Sequence, residues 1–427
     1  CYMGRFEPLK NNGARLVKPL VRESDGDWVE ETWDTALDLL AEKMNSLVNS
    51  GQGDGVFGLA SSRCSNEELM LFRDLMTNGW SAGYMDTLDG SHFRTISGAW
   101  RIMENHFSEA SWKLIPDCDC LIVVSADPYQ SQPIISSLIR KSVLETGTKL
   151  IVIGQENPLQ LWSSFHFPVK NGDEVQLIKA LWAEAISSIK PPPHIKNWKV
   201  ASKEAEGVDI SKLIKKIGLS EKMKEAFREA ATIFARSINP MFIAGAGLTG
   251  QEEPYGLREL MKLAELKDLL PGDTLRLIIL KPNGNSTGAW ILKLSSENII
   301  SNHNKLKGGL ILLGGEDTSK IQVLDRLNGL DFLAVLSPYF PEALADKADV
   351  LIPKPLWMEE NGSYTSLDGL AVRLKKRALH PPEGVKETWR TMIELANRTK
   401  FRPSYATWNE LVEQALDEMK LLVVNRT

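Results

Sequence analysis

The fold is decided by the stretch Gly55-Val56-Phe57-Gly58-Leu59-Ala60-Ser61-Ser62, an apolar run that ends at two serines. A short polar turn follows, and from Asn66 to Met76 the apolar residues recur at helical spacing. An apolar run of this length predicts a buried β-strand, and the periodic segment predicts a helix that covers one of its faces. The stretch is therefore the strand, loop and helix unit from which parallel sheets are built.

The same unit recurs along the chain. Alternating apolar strands and amphipathic helices imply parallel sheets covered on both faces, which is an α/β fold. A first helix is predicted from Ala36 to Leu47 and a last one from Thr407 to Met419, with Leu421 to Val424 as a short tail. The other predicted strands are Cys120 to Val124, Lys149 to Ile153, Met241 to Ala244, Leu310 to Leu313 and Phe332 to Val335.

Length and composition exclude several classes of protein. A chain of 427 residues is too long for one ordinary core, so two or three domains are expected. The formal net charge of -5 gives no reason to expect a nucleic-acid partner, and the longest apolar runs are far shorter than the ~20 residues that cross a bilayer. Four cysteines are too few for a disulfide framework, so we expect a cytoplasmic protein, free or at the inner face of a membrane as part of a complex.

Several stretches, spaced through nearly the whole chain, match one family in order. On these residues the chain resembles the molybdopterin oxidoreductases, which include formate dehydrogenases. It resembles more closely the large iron–sulfur subunit of NADH:quinone oxidoreductase (complex I). Each match alone is weak, so their order and spacing carry the resemblance. The stretches are Cys1 to Phe6, Arg15 to Arg22, Thr32 to Leu37, Gly58 to Glu68, Pro282 to Ala289, Ala348 to Pro353 and Glu359 to Thr365.

The resemblance implies an α/β fold with two interleaved, doubly wound parallel-sheet domains of the molybdopterin oxidoreductase type. Residues 1–28 would be the remnant of an iron–sulfur cluster domain, and 29–115 with 283–385 would form the first α/β domain. The second α/β domain, 116–282, would be inserted within the first, and 386–427 would be a C-terminal helix and tail. We expect the family's C-terminal pterin-capping domain to be absent, unless a separate chain supplies it.

The chain opens with Cys1-Tyr2-Met3-Gly4-Arg5-Phe6 and does not start with methionine. In the resembling family, Cys-x-x-Gly-Arg-Phe contains the last cysteine of an iron–sulfur site. The resemblance therefore implies that Cys1 is a thiolate ligand of a 4Fe–4S cluster whose other ligands lie outside this chain. Gly4 and Arg5 would stabilise the negative charge of the cluster through backbone groups and a guanidinium. Two other interpretations stay open, an acylated lipoprotein start and an ordinary terminal cysteine.

The resemblance also locates the place of a pterin-bound metal, which reads Asp89-Gly90-Ser91-His92-Phe93-Arg94. Ser91 would be an oxygen ligand to molybdenum, and His92 would transfer protons near neutral pH. The alternative interpretation is that Ser91 caps a turn and that His92 is an exposed or hydrogen-bonded histidine without a catalytic role.

Three departures from the family pattern indicate a degenerate pterin pocket. Active relatives carry Asp-Pro-Arg after the strand that ends at Ile153, where this chain has Gly154-Gln155-Glu156. A carboxylate in place of a guanidinium repels phosphate instead of binding it. The lysine that formate dehydrogenases place between cluster and pterin is Met3 here, and Gly314-Gly315-Glu316-Asp317 replaces the usual Gly-Glu-Asn-Pro. We therefore expect no bound molybdopterin.

Other motifs give weaker predictions. Gly245-Ala246-Gly247-Leu248-Thr249-Gly250 lies between a strand and a helix, where phosphate-binding turns occur, but the resemblance implies that this bend lines the pterin cavity. Cys118-Asp119-Cys120 lacks a second cysteine pair, so we expect both cysteines, and Cys64, to be buried in the core. The six histidines show no metal-ligand spacing.

The sequence thus favours a non-catalytic, electron-conducting and structural iron–sulfur subunit of a multi-subunit NAD(P)H-linked oxidoreductase. Its partners would be NAD(P)H-binding flavin and iron–sulfur subunits, and its cofactor would be a shared 4Fe–4S cluster. Two alternatives remain. One is an active molybdenum or tungsten bis-pterin oxidoreductase such as a formate dehydrogenase, and the other is a scaffold subunit without a cofactor.

Overall fold

The structure is a computed structural model that describes residues 13–102, 108–188, 198–251, 253–267, 269–271, 274–295, 299, 301–369 and 372–424. The chain divides into two compact units. The first consists of the segments up to Gly90 and from Asn283 onward, and the second is the intervening segment from Ser91 to Pro282. The second unit is therefore inserted in the chain of the first.

Strands and helices alternate along both units. The strands are β1 (Leu20–Arg22), β2 (Trp28–Glu30), β3 (Val56–Ala60), β4 (Tyr84–Thr87), β5 (Ser108–Glu109), β6 (Cys120–Val124), β7 (Lys149–Ile153), β8 (Phe165–Phe167), β9 (Pro240–Ala244), β10 (Thr274–Leu275), β11 (Leu277–Ile279), β12 (Gly308–Leu312), β13 (Phe332–Ser337), β14 (Val350–Pro353), β15 (Gly362–Thr365) and β16 (Val372–Lys375). The helices are α1 (Trp33–Leu47), α2 (Asn66–Asp74), α3 (Gly90–Ile102), α4 (Pro128–Ser131), α5 (Pro133–Lys141), α6 (Glu174–Ser188), α7 (Trp198–Glu206), α8 (Ile210–Ile217), α9 (Glu221–Arg236), α10 (Ala246–Thr249), α11 (Tyr255–Glu265), α12 (Ser286–Ile291), α13 (Thr388–Ala396) and α14 (Trp408–Val424).

Within the described residues, the first unit is built on a seven-stranded sheet with the order β2-β1-β14-β13-β12-β3-β4. The strands from β14 to β4 are parallel, and β1 joins them antiparallel, with Leu20 opposite Leu351. Every residue of β3, β12, β13 and β14 is buried, as their continuous apolar sequences predict. Helix α1 packs against β12, β13 and β14, and α2 packs against β3.

The described part of the second unit contains a parallel five-stranded sheet with the order β11-β9-β6-β7-β8. Strand β6 lies in the middle, with Leu121 opposite Leu150 on one side and Met241 on the other. Helix α6 packs on α9 and α11, and Phe227 of α9 meets Phe167 of β8 edge to face, with ring centroids 5.7 Å apart. In both sheets, the carboxyl ends of the parallel strands therefore lie along one edge.

The predicted α/β fold class is confirmed, and β6 and β7 have the predicted bounds. The predicted tail at Leu421 to Val424 is wrong, because α14 continues to Val424 through a segment that contains neither glycine nor proline. No helix in the described part of the chain is long and apolar enough to cross a membrane.

The two units and the four expected domains have different bounds. Residues 91–102 and 108–115 group with the second unit, and 386–424 group with the first. The segment 20–30 supplies β1 and β2 to the sheet of the first unit. The role given to 1–28, the remnant of a cluster domain, stays a prediction.

A buried lysine caps the carboxyl end of α9 in the second unit. The Lys267 ammonium donates hydrogen bonds to the carbonyl oxygens of Ala235 and Ser237, at 2.9 and 2.8 Å. A cation is favoured at the carboxyl end of a helix. We predict that Lys267→Met lowers the free energy of unfolding of this unit by about 2–4 kcal/mol, because buried carbonyl groups lose their donor.

Urea denaturation followed by circular dichroism measures this effect. The control is Lys203→Met, which replaces an exposed lysine of α7 and should change the free energy of unfolding by less than ~0.5 kcal/mol. Equal stability of the two variants would contradict the role of Lys267.

Candidate functional site

The carboxyl ends of parallel strands form the edge at which α/β proteins bind their ligands. In the first unit, the residues at this edge are mainly polar, and most of them are buried. They are Ser61, Ser62 and Arg63 after β3, Asp89 after β4, Glu316 after β12 and Lys354 after β14.

Asp89 connects two loops of this edge. Its carboxylate accepts hydrogen bonds from the hydroxyl groups of Ser62 and Ser286. All three side chains are buried, so each hydroxyl proton needs an acceptor inside the protein. The carboxylate supplies that acceptor to both loops.

Asn285 joins the same two loops to the β15–β16 hairpin. Its amide donates to the carbonyl oxygen of Cys64 and to Asn66 Oδ1, each at 2.9 Å. The amide of Thr365 in turn donates to Asn285 Oδ1 at 2.8 Å. A Cβ atom at Gly288 would lie 2.2 Å from Asn66 Oδ1, so a side chain does not fit at this position. Buried hydrogen bonds therefore fix the geometry of the edge.

Glu316 folds back onto the loop that carries it. Its carboxylate accepts hydrogen bonds from the Gly314 amide at 2.7 Å and from the Ser61 hydroxyl. Arg63 Nε lies 3.7 Å from the same carboxylate. The side chain of Glu316 is 9% exposed, whereas that of Arg63 is 51% exposed. Glu316, one of the predicted departures from the family pattern, thus has a carboxylate that accepts hydrogen bonds from donors of its own unit.

A buried ionic cluster, defined as Cys64, Glu68, Lys354 and Glu360, lies beside this edge. Lys354 Nζ is 2.7 Å from Glu68 Oε1 and 3.6 Å from Cys64 Sγ. The carboxyl group of Glu360 accepts hydrogen bonds from the backbone amide and the hydroxyl of Thr388, the first residue of α13. The cluster thereby ties α2, the segment after β14 and α13 together.

Burial raises the pKa of Glu68, but the charge and hydrogen bond of Lys354 and the hydrogen bonds of Ser65 outweigh it, so that the pKa is lowered. Burial and the negative charge of Glu68 hold the pKa of Glu360 well above its usual range. Burial likewise holds the thiol pKa of Cys64 well above its usual value. Burial lowers the pKa of Lys354, but Cys64, Glu68 and Glu360 outweigh it and raise the pKa. The cluster therefore holds one cation, one anion, a neutral acid and an unreactive thiol.

In the second unit, small residues pack tightly at the carboxyl ends of β6, β7 and β9. Ser125 has a φ of 47°, Gly154 has a φ of 133°, and a Cβ atom at Gly245 would lie 2.2 Å from the carbonyl oxygen of Ser125. The Ser125 hydroxyl donates to Glu174 at 2.6 Å, and the Gly172 amide donates to the other carboxylate oxygen at 2.5 Å. Glu174 is fully buried, so this edge also contains a buried carboxyl group that accepts hydrogen bonds.

In the glycine-rich turn Gly245–Gly250, backbone amides donate hydrogen bonds to backbone carbonyl oxygens of the second unit. Gly247 donates to the carbonyl oxygen of Ser125 at 3.1 Å, Thr249 to that of Gly245 at 3.2 Å, and Gly250 to that of Ala246 at 2.7 Å. Helix α10, within this turn, is four residues long. These amides are therefore not available to a phosphate group.

Ser91 and His92 lie in the first turn of α3. Ser91 is exposed, and His92 is half-buried, with Nδ1 2.8 Å from Thr249 Oγ1. A Cβ atom at Gly250 would lie 3.2 Å from His92 Cε1. His92 is thus a hydrogen-bonded histidine packed on the glycine-rich turn. Metal ligation by Ser91 and proton transfer by His92 stay predictions.

Glu156 is exposed in the loop after β7. Cys118 and Cys120 are buried in the second unit, and burial raises the thiol pKa of Cys118 to about 11 and that of Cys120 as well. Cys64 is buried in the first unit. The predicted core positions of these three cysteines are confirmed.

Cys1, Met3, Gly4 and Arg5 lie outside the described residues. Where the chain is described, no group of three or more His, Cys, Asp or Glu side chains is arranged to hold a metal ion. Ligation of a cluster by Cys1, with Gly4 and Arg5 nearby, therefore stays a prediction.

No sequence motif predicts a role for Asp89, Glu174 or Lys354. The partners of Asp89 come from loops far apart in the chain, since Ser286 lies 197 positions away, and no local pattern indicates such a bond. A signal existed for Lys354, which directly follows an apolar strand in one of the matched stretches.

Known proteins resemble the chain over nearly its full length. The family profile described as molybdopterin oxidoreductase matches residues 15–398. The alpha subunit of the NADPH-Fe(3+) oxidoreductase of Geobacter sulfurreducens is 25% identical, over 93% of this chain and 51% of the relative. The alpha subunit of the F420-dependent formate dehydrogenase of Methanocaldococcus jannaschii is 23% identical, over 95% of this chain and 65% of the relative. The chain thus spans between half and two thirds of the length of these relatives.

Two solved structures share the fold. Acetylene hydratase from Pelobacter acetylenicus superposes with a TM-score of 0.65 at 15% identity, over 91% of this chain and 62% of that one. A chain of the formyltransferase/hydrolase complex (FhcABCD) from Methylorubrum extorquens gives a TM-score of 0.59 at 12% identity, over 93% of this chain and 99% of that one. At such identities the likeness shows the fold alone.

Glu360 gives the first unit a pH-dependent stability. Its raised pKa means that the folded chain retains a proton that an unfolded glutamate, with a pKa of about 4.3, releases. This stabilisation is fully present below about pH 4.3 and is lost as the pH rises towards the raised value. We predict that Glu360→Gln, which cannot ionise, gains stability relative to the wild type as the pH rises above about 4.3.

Urea denaturation at a series of pH values measures the difference. Glu42→Gln, which changes an exposed glutamate of α1, should follow the wild type at every pH. A stability difference between Glu360→Gln and the wild type that is the same at all pH values would rule out a neutral Glu360.

Proposed function

The chain belongs to the molybdopterin oxidoreductase family, and on that basis we propose that it is a non-catalytic, electron-conducting and structural subunit of a multi-subunit NAD(P)H-linked oxidoreductase. The Geobacter and Methanocaldococcus relatives are named as alpha subunits, which supports a place in a larger assembly. The proposed partners are NAD(P)H-binding flavin and iron–sulfur subunits.

The residues at the strand ends do not fit a pterin nucleotide, whose phosphates are polyanionic. Glu156 places a carboxylate where the family pattern has a guanidinium. Glu316 already binds the Gly314 amide and the Ser61 hydroxyl, which are the donor types that an anionic ligand needs. Like charges at both places oppose phosphate binding. We therefore assign no catalytic step to this chain.

One observation carries the proposal. Four donors at the carboxyl edge of the first sheet, from Ser61, Ser62, Ser286 and Gly314, are satisfied by carboxylates of the chain itself. The hydrogen bond between His92 and Thr249 adds support, because it gives this histidine a structural partner.

The electron-conducting role rests on Cys1 and on the segment that follows it. The Leu16 amide donates to the carbonyl oxygen of Pro338 at 3.1 Å, just beyond the carboxyl end of β13. Arg15 pairs with Glu359, and its guanidinium lies 5.6 Å from the centre of the Tyr339 ring. Arg15 and Leu16 thus lie at the carboxyl edge of the first sheet. A 4Fe–4S cluster held by Cys1 and three other thiolates would supply one-electron transfer.

We predict that Cys1→Ser, in the purified complex, weakens or removes one iron–sulfur signal in electron paramagnetic resonance, because the cluster loses a thiolate. The matched control is Cys118→Ser, since a serine hydroxyl can replace the thiol that donates to Ile115. An unchanged signal in Cys1→Ser would favour a scaffold without a cofactor.

Metal analysis separates the proposal from the active-enzyme alternative. We predict no stoichiometric molybdenum or tungsten in the purified complex that can be assigned to this chain. About one such atom per chain, retained through gel filtration, would overturn the non-catalytic assignment.

A further inference from the structure

Three carboxylates with little solvent exposure lie near the strand ends. Asp89 and Glu316 lie at the carboxyl edge of the first sheet, and Glu174 lies at that of the second. Each of them accepts hydrogen bonds from two donors, and at least one of these donors is a serine hydroxyl. The repetition of this arrangement in both units indicates a common role.

Glu316 shows the arrangement most fully. A backbone amide, a hydroxyl and a guanidinium converge on its carboxylate, from Gly314, Ser61 and Arg63. A loop after a parallel strand that offers these groups together is the usual form of a site for a phosphate or carboxylate ligand. A Cβ atom at Gly314 would lie 2.9 Å from Ser61 Oγ and 3.1 Å from Glu316 Oε1, so the close approach needs a glycine.

The ion pair with Arg63 does not explain the arrangement by itself. Arg63 is half-exposed and 3.7 Å away, and exposed pairs of this kind contribute little to stability. The Gly314 amide and the hydroxyl of the buried Ser61 are the donors that make hydrogen bonds, and both bonds would be lost together if the carboxylate were removed.

We propose that Glu316 is a built-in anion that fills an anion-binding cradle of the first unit, formed by Gly314, Ser61 and Arg63. Asp89 and Glu174 fill the corresponding places beside β4 and β6. The inference rests on the proposed function, in which no pterin is bound, because a pterin nucleotide would compete with Glu316 for the same donors. The scaffold then carries its own ligands and needs no cofactor to hold its strand ends together.

The test is chemical rescue of Glu316→Ala in the full chain. The substitution removes a CH2 group and a carboxylate, which is close to the size of an acetate ion, and leaves the cradle donors in place. We expect the melting temperature of the first unit to fall by about 4–8 °C. Sodium acetate should raise the melting temperature of the variant in a saturable manner, relative to sodium chloride of equal ionic strength. The wild type should show no such acetate-specific shift.

Two further variants keep the test decisive. Glu42→Ala, on the exposed face of α1, should melt like the wild type and show no response to acetate. If Glu316→Ala does not fold, Glu316→Gln replaces it in the test, because its amide oxygen retains one acceptor, and this variant should have an intermediate melting temperature.

The proposal is overturned if Glu316→Ala melts like Glu42→Ala, or if it is destabilised and acetate has no more effect than chloride. Molybdenum in the complex would overturn the proposed function, whereas a failed rescue in a molybdenum-free complex would overturn the cradle alone.

Discussion

Buried hydrogen-bond donors must find acceptors, and this requirement governs the carboxyl edges of both sheets. Parallel strands end side by side, so their loops bring amides and hydroxyls together out of water. A buried donor left without an acceptor costs about 1–3 kcal/mol. In many α/β proteins a bound ligand supplies the acceptors. Here Asp89, Glu174 and Glu316 supply them.

The same constraint explains the charges of the buried ionic cluster. Lys354 and Glu68 neutralise each other at 2.7 Å, because either charge alone would be costly to bury. A second anion at Glu360 would have to share Lys354 with Glu68, so Glu360 stays neutral and binds Thr388 instead. The thiol of Cys64 is buried in the same cluster and stays protonated. This part of the edge therefore holds a neutralised ion pair, a neutral acid and a protonated thiol.

The sequence predicts the sheets well because their strands are buried on both faces. Continuous apolar runs such as Cys120–Val124 and Lys149–Ile153 have no solvated side, and their bounds can be read directly. The short edge strands β1 and β2 lack such a run, and they form because β14 offers an open edge. The pairing of Asp89 with Ser286 could not be predicted, since it depends on how two distant loops meet in the folded chain. The departures at Glu156 and Glu316 were visible in the sequence, but the donors that Glu316 binds were not.

We propose that a family scaffold whose strand-end donors bind its own carboxylates works without a pterin, and that it serves electron transfer and assembly. An experimental density map of the intact complex, at a resolution that separates side chains, tests this most directly. We expect Glu316 to contact Gly314 and Ser61, and we expect the space above the strand ends to contain no pterin. Density for a pterin nucleotide beside Ser91, with Glu316 turned away from Ser61, would contradict it.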